Sequence, residues 1–328
     1  MTSFSNLTDH LNTTTGSSMQ QELLVFAVFK IILAPITVVS NGFLVLTAYV
    51  DPLRAFRAPS SSFLIAMSVA NVFTGLIVEP IFATLEYNDY FGKSNLPNLA
   101  KVGSSISLLT LNVSFGMVFA LAVDYFIAVF RPTKYKSWIT MQRAQVVITV
   151  ISINASIFSI LPHANVSMEI VFKVDLYLNS TVNSTLLVVS YILLYFAFHD
   201  QTKRSLNLRR AVNNPGRANT DEVDKIVALQ NKFCRVLLIF VIFSTVPAVF
   251  ATISYYLMEY CDPCQRYKAI VIFQKVCLNL MFIKCALDPF AFAWRLSRNR
   301  QALKKIILCQ LGMLTQMRST VQPDNISS

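Results

Sequence analysis

The chain has 328 residues, of which 54% are hydrophobic and only 14% are charged, against about 25% charged in an ordinary soluble domain. This composition predicts an integral membrane protein. The formal net charge of +11 does not indicate nucleic-acid binding, because the positive residues lie between apolar segments, as membrane orientation requires. The three histidines are scattered without metal-ligand spacing, and no nucleotide-binding or catalytic-serine motif occurs. We therefore expect no enzymatic activity, cofactor or metal.

Seven apolar segments are long enough to cross a bilayer, since a spanning helix needs roughly 20 mostly apolar residues. They cover about 23–50, 60–86, 99–130, 141–162, 182–198, 228–258 and 269–293. The fifth segment has a second possible start, because Val171–Leu178 is also apolar. The sequence thus predicts an all-α membrane protein, with a seven-transmembrane helix bundle over 23–293.

The distribution of positive residues orients this bundle. Residues 1–22 contain no Lys or Arg, whereas the connections after the first, third and fifth segments and the tail are basic. The positive-inside rule therefore predicts an extracellular N-terminus and a cytosolic tail over 311–328, in the plasma membrane. Five glycosylation sequons lie in segments predicted to be outside, at Asn6, Asn12, Asn165, Asn179 and Asn183.

Two further segments contain cysteines whose chemical state can be predicted. Residues 294–310 have an amphipathic pattern that predicts a helix lying on the lipids of the inner membrane surface. Cys309 in this segment is a candidate for palmitoylation, with an unmodified thiol as the alternative. In the third outer connection, the oxidising outside favours a disulfide between Cys261 and Cys264 over a redox-active pair.

The seventh segment carries Lys284, Asp288 and Pro289 at membrane depth. Ionisable residues there normally face a bundle interior or a water-filled cavity. A proline in a spanning helix also frees a backbone carbonyl that neighbouring helices must satisfy. Because Lys284 and Asp288 are four residues apart, they share one helical face. We expect this stretch to face other helices rather than lipid.

Short motifs in these segments resemble the rhodopsin-like class of G-protein-coupled receptors. In chain order they are Asn41, Asn71, the run Asp124-Tyr125-Phe126, the pair Thr245 and Pro247, and the run Asp288-Pro289-Phe290-Ala291-Phe292. They stand where the family has its first-helix Asn, the Asp of L-A-x-x-D, then D-R-Y, C-W-x-P and N-P-x-x-Y. The resemblance covers nearly the whole bundle.

Within that class, the resemblance is nearest to the melanocortin and adenosine receptors. Asp288-Pro289 followed by Ala293-Trp294-Arg295 is melanocortin-like, and the run 135–140 is adenosine-like. The family's cysteine at the top of the third helix is replaced by Ala100. Melanocortin receptors likewise use a disulfide within the third outer loop, which fits the two cysteines there.

The resemblance implies a receptor that binds an extracellular ligand between its helices and signals to a heterotrimeric G protein. Several activation residues differ, however: Tyr125 stands for the family's Arg, Thr245 for its Trp and Phe292 for its Tyr. The alternative is therefore a non-signalling protein on the same scaffold, such as a decoy, a scavenger or a heteromer partner.

The resemblance also suggests where partners bind. On the inner side, the expected G-protein surface comprises Asp124, Tyr125, Lys203 and Arg204, and charges that serve only orientation are the alternative.

Near the outer rim, the candidate ligand contacts are Glu79, Ser107, Tyr255 and Lys275. Glu79 would meet either a cationic ligand or a structural lysine such as Lys30 or Lys275. Ser107 stands where amine receptors place an aspartate, which disfavours a biogenic amine, and Phe282 replaces the retinal-binding lysine of opsins.

The family's sodium site lies between the second and seventh helices. Here its carboxylate has moved from the position of Asn71 to that of Asp288. Our hypothesis is that Lys284 replaces the sodium ion by pairing with Asp288, near Asn71 and Asn41. The alternative is that Lys284 pairs elsewhere in the bundle.

Overall fold

The computed structural model of the protein describes residues 18–50, 58–92, 96–212, 242–261, 263–264 and 267–293, and every regular element in these ranges is helical. Seven helices are long and apolar enough to cross a membrane. The predicted all-α seven-helix bundle is confirmed. Residues 1–17 with Asn6 and Asn12, and residues 294–328 with the predicted surface helix, Cys309 and the tail, lie outside the described ranges.

The spanning helices are numbered here α1 to α7. Their bounds are α1 Ser18–Val50, α2 Pro59–Tyr90, α3 Pro97–Phe130, α4 Met141–Ile160, α5 Met168–Val212, α6 Ile242–Tyr260 and α7 Lys268–Ala293. A short helix, Pro132–Trp138, joins α3 to α4. Residues 213–241 are not described, so the predicted start of the sixth span is not tested.

Two of the helices contain a π-helical turn. In α2 the turn covers Thr74–Val78 and directly precedes Glu79 and Pro80. Pro80 has no N–H to donate to the carbonyl of Leu76, and its ring crowds that carbonyl, so a wider turn relieves the conflict. In α5 the π turn covers Leu176–Thr181.

The centre of the bundle is built around α3. Met117, Val118 and Leu121 of α3 are fully buried and belong to one apolar cluster with Leu64 and Met67 of α2. Because lipid tails are as apolar as these side chains, close packing rather than exclusion of water holds such helices together.

The fifth helix begins earlier than the sequence predicted, at Met168 instead of residue 182. Asn179 and Asn183 therefore lie within the span Met168–Ala197 rather than in an outer loop. Asn179 is buried and its amide is hydrogen-bonded to Asp175, an environment that does not favour a glycan, and its glycosylation stays a prediction. Asn165 instead occupies an exposed turn with a φ of 65°, a conformation that Asn tolerates, and its glycosylation stays a prediction.

The third outer connection contains the predicted disulfide. Cys261 and Cys264 are bonded to each other, with their Cα atoms 5.1 Å apart. This prediction is confirmed.

Helices α1 and α2 approach each other closely at Gly75. A Cβ added there would lie 2.9 Å from the Cβ of Thr37 and 3.0 Å from the carbonyl oxygen of Ala34. We expect Gly75→Ala to lower the free energy of unfolding by about 1–3 kcal/mol, because the contact includes backbone that cannot move aside. The measurement is the thermal midpoint of the purified protein in detergent.

Gly42 in α1 is the matched control, since a Cβ there meets nothing within 4 Å. Gly42→Ala should leave the midpoint unchanged or raise it slightly, because Ala favours helix over Gly. Equal destabilisation by both substitutions would contradict the close contact at Gly75.

Candidate functional site

A proline in α7 leaves one backbone carbonyl to be satisfied by other helices. Pro289 lacks the N–H that would bond to the carbonyl of Cys285, four residues earlier. Asn41 of α1 donates its Nδ2 to that carbonyl at 2.9 Å, and Asn71 of α2 donates at 3.3 Å. Ser40 Oγ donates to the next carbonyl, that of Ala286, at 2.9 Å. The break in α7 thus becomes its attachment to α1 and α2.

One turn away lies a fully buried ion pair. Lys284 Nζ is 2.9 Å from Asp288 Oδ2, and both side chains are 0% exposed. The ammonium also donates to Ser114 Oγ of α3 at 3.0 Å and lies 4.6 Å from the centroid of the Phe115 ring. An ammonium has three N–H donors and needs such partners when it is buried. Lys284 therefore connects α7 to α3.

The ion pair and the proline contacts form one network. Asn71 Nδ2 donates to Asp288 Oδ2 at 2.9 Å and lies 3.3 Å from Asn41 Oδ1. The network thereby joins α1, α2, α3 and α7. Within the described residues, Oδ1 of Asp288 and Oδ1 of Asn71 are buried without a hydrogen-bond partner. A buried network with unmet acceptors is stabilised less than a fully satisfied one.

The structure unites most of the predicted switch residues. Asn41, Asn71, Lys284, Asp288 and Pro289 belong to the network, whereas Thr245 and Pro247 lie in α6 and contribute none of its hydrogen bonds. Sequence reasoning missed Ser114. A signal for it existed, because Ser114 follows Ser107 by two helical turns and so lies on the same face of an otherwise apolar helix.

A second group of buried charges lies at the outer ends of α1, α2 and α7. Glu86 pairs with Lys30 at 2.6 Å and with Lys275 at 3.4 Å. Glu79, which the sequence favoured as the acid of this region, instead accepts a hydrogen bond from Thr37 at 3.0 Å and is 0% exposed. Glu79 forms no ion pair with Lys30 or Lys275 within 4 Å in the described residues, and a cationic ligand as its partner stays a prediction. The acid in the pairs is Glu86, two turns further along the same face of α2.

The other candidate ligand contacts, Ser107, Tyr255 and Lys275, differ in how deeply they are buried. Ser107 is buried and Tyr255 is half-buried. The side chain of Lys275 is 25% exposed although it pairs with Glu86.

The inner end of α3 differs from the expected partner surface. Tyr135 donates its hydroxyl to Asp124 Oδ1 at 3.0 Å, and both Asp124 and Tyr125 are buried, Tyr125 within the central apolar cluster. Burial, reinforced by the carboxylate of Asp124, raises the pKa of Tyr135 and keeps it a hydrogen-bond donor. Asp124 and Tyr125 are thus buried in this conformation, and their contact with a G protein stays a prediction. A tyrosine can pack into apolar surroundings where an arginine would need a counter-charge.

The two other residues of that predicted surface are exposed. Lys203 is exposed on α5, and Arg204 pairs with Asp200 at 2.7 Å across the helix surface. These two side chains are thus solvent-accessible on α5, and their contact with a G protein stays a prediction.

Removing Lys284 alone should be strongly destabilising. Lys284→Met leaves Asp288 as an unpaired buried charge, and we expect the free energy of unfolding to fall by about 3–5 kcal/mol. Lys284→Met combined with Asp288→Asn should be less destabilised than the single variant, because no buried charge is left and Asn71 keeps an acceptor. The thermal midpoint of the purified protein measures both.

Lys173 and Glu169 provide the surface control, since they form an i,i+4 pair at the same 2.9 Å distance on α5. Lys173 also pairs with Glu259 of α6 at 2.9 Å, so the substitution removes two solvent-accessible ion pairs. Lys173→Met should leave the midpoint nearly unchanged because exposed ion pairs contribute little. A double variant less stable than Lys284→Met alone would contradict the charge argument.

Comparison with known proteins agrees with the geometry. The chain matches the family described as 7 transmembrane receptor (rhodopsin family) over residues 40–292. Cannabinoid receptor 1 of Xenopus laevis is 29% identical over 141 residues, which cover 42% of this chain and 29% of that receptor. Adenosine receptor A2b of Homo sapiens is 27% identical over 129 residues, which cover 38% of this chain and 36% of that receptor. The chain thus spans only about a third of the length of these relatives.

The adenosine receptor among these relatives agrees with the predicted resemblance, cannabinoid receptors were not anticipated, and the melanocortin likeness stays a prediction. These relatives are receptors, in agreement with the prediction that the chain is not an enzyme. Since the family match contains Asn41, Asn71, Ser114, Lys284 and Asp288, the charge network lies within the conserved receptor fold. The chain belongs to the rhodopsin family of seven-transmembrane receptors.

Proposed function

We propose that this multi-pass membrane protein is a plasma-membrane receptor that binds an extracellular ligand between its helices and signals to a heterotrimeric G protein. The observation that carries the proposal is the network around Lys284 and Asp288. A receptor works by a shift between bundle conformations, which requires an element with two arrangements that both binding partners can bias.

The network has the properties of such an element. It joins α7 to three other helices, and Asp288 Oδ1 and Asn71 Oδ1 are left as unused acceptors. A small rotation of α7 would transfer a hydrogen bond to one of these unused oxygens. Neither Lys284 nor Asp288 would become exposed to lipid. Both arrangements then keep the ion pair, so their free energies stay close enough for a ligand to select between them.

Within this function, Lys284 takes the place of the family's sodium ion. Its Nζ occupies the acceptors Asp288 Oδ2 and Ser114 Oγ at 2.9 and 3.0 Å, and an amide, Asn71, stands where the family has its acid. A sodium ion would need those same oxygens, and the ammonium already neutralises the carboxylate. The residues present therefore do not fit the ion.

The orientation proposed has an extracellular N-terminus. The exposed sequon at Asn165 and the disulfide between Cys261 and Cys264 support it, because both belong to connections that this orientation places outside. The exposed positive residues Lys203 and Arg204 lie at the opposite end of α5.

One observation favours a second function, a non-signalling receptor that sequesters ligand or pairs with another receptor. Tyr125 stands where the family has the arginine that contacts G protein, and it is only 1% exposed. A buried tyrosine offers no charge to a partner.

Sodium should have no specific effect on the wild type. Replacing choline chloride by sodium chloride at constant ionic strength should leave the thermal midpoint unchanged, whereas Lys284→Met should gain a sodium-dependent rise, because its bare carboxylate can then attract the ion. Lys173→Met is the control without such a rise. A sodium-dependent rise in the wild type would show that Lys284 does not replace the ion.

Guanine-nucleotide exchange separates the two functions. We expect exchange on added heterotrimeric G protein to increase with the amount of wild-type receptor in the membranes, relative to receptor-free membranes. The double substitution Tyr125→Arg with Phe126→Tyr, which restores the family's pair, is the positive control. Exchange by the control but not by the wild type would contradict signalling and favour the sequestering function.

A further inference from the structure

Asp175 in α5 is a buried acid without a cationic partner. It is 7% exposed, and no Lys or Arg in the described part of the chain pairs with it. Two other buried acids do have such partners, since Asp288 pairs with Lys284 and Glu86 pairs with Lys30. Glu79, also buried, accepts a hydrogen bond from Thr37 instead. Buried carboxylates within a membrane normally face a counter-charge, so its absence here calls for a functional explanation.

The Asp175 carboxylate is hydrogen-bonded to its neighbours through only one of its two oxygens. Oδ1 accepts hydrogen bonds from Asn112 Nδ2 of α3 and from Asn179 Nδ2, both at 2.7 Å. Asn179 in turn accepts from Asn154 Nδ2 of α4 at 3.0 Å. The second oxygen, Oδ2, has no hydrogen bond within the described residues, yet it is not among the oxygens sealed from solvent. Three helices therefore orient a carboxylate whose free oxygen is still accessible.

A structural clamp alone would not need this charge. The single carbonyl oxygen of an asparagine would accept the same two amide donors without the desolvation cost of a carboxylate. An asparagine would lack the negative charge that Oδ2 of the carboxylate carries.

Asp175 lies near the end of α5 that the proposed orientation places outside. It is seven residues inside that end, about 10 Å deep at 1.5 Å per residue. Tyr255 of α6 lies at a similar depth, about 8 Å below Tyr260. The π turn Leu176–Thr181 begins directly after the carboxylate, and such turns occur frequently at functional sites.

We propose that Asp175 binds the cationic group of a ligand, an ammonium or an amidinium-type group, through its free Oδ2. The proposal rests on the proposed function in that it names the chemistry of the ligand that the receptor takes. The argument against a biogenic amine concerned Ser107 on α3, whereas this acid is on α5.

The test uses the full-length receptor in lipid nanodiscs and two probes of equal shape. Benzamidine carries the cation, and benzamide is its neutral counterpart; benzylamine, with benzyl alcohol as its own counterpart, forms the ammonium arm. Benzamidine or benzylamine should raise the wild-type thermal midpoint in a concentration-dependent manner, while the neutral compounds should not. The arm with the larger shift identifies the preferred cation.

Asp175→Asn keeps the acceptor for Asn112 and Asn179 but removes the charge. The apparent affinity for the cationic probe should fall about tenfold or more, as expected for loss of a charge-assisted hydrogen bond. Glu169→Gln is the control, since it removes one negative charge from the surface of the same helix and should leave the affinity unchanged.

Two outcomes would overturn the proposal: no midpoint shift of the wild type with either cation, or an equal shift in wild type and Asp175→Asn. If Asp175→Asn does not fold, Asp175→Glu replaces it; a changed affinity for the cationic probe supports the site, and an unchanged affinity contradicts it. The readout is independent of G protein. Binding without nucleotide exchange would therefore contradict the proposed signalling alone, and exchange without binding would contradict this site alone.

Discussion

The arrangement of this bundle depends on how the carbonyl freed by Pro289 is satisfied. No water is available in hydrocarbon to bond the carbonyl of Cys285, so Asn41 and Asn71 must do so, and this fixes α7 against α1 and α2. Asn71 also holds Asp288, which in turn positions Lys284. Because Lys284 reaches Ser114, a local defect in one helix determines contacts among four.

Three of the buried acids in the described part of this bundle meet three different kinds of partner. Asp288 has an ammonium one turn away on its own helix, Glu86 has lysines from two other helices, and Asp175 has only amide donors. The free-energy cost of burying each carboxylate is therefore offset by a different set of partners. The pair of Asp288 with Lys284 can act as a switch, and the pairs of Glu86 link the outer ends of α1, α2 and α7. Asp175 keeps a negative charge that a cationic ligand can bind.

At the inner end of α3, the family's D-R-Y motif keeps its acid, Asp124, but has a tyrosine in place of its arginine. Asp124 keeps a hydrogen-bonded neighbour in Tyr135, but the residue after it, Tyr125, packs into the apolar centre. Apolar packing around Tyr125 stabilises this conformation. Because a buried tyrosine stands in place of the family's arginine, nucleotide exchange is the decisive measurement for the function.

The sequence by itself determined the seven spans, the disulfide between Cys261 and Cys264, the receptor family and the shared face of Lys284 and Asp288. These depend on composition, on short separations along the chain and on helical period, which are local properties. Only the tertiary structure decided that Glu86 rather than Glu79 meets the lysines, that Ser114 completes the network, and that Asn179 lies inside the bundle with Asp175. Each of these depends on which helices pack together and at what depth, and the period of a single helix does not specify that.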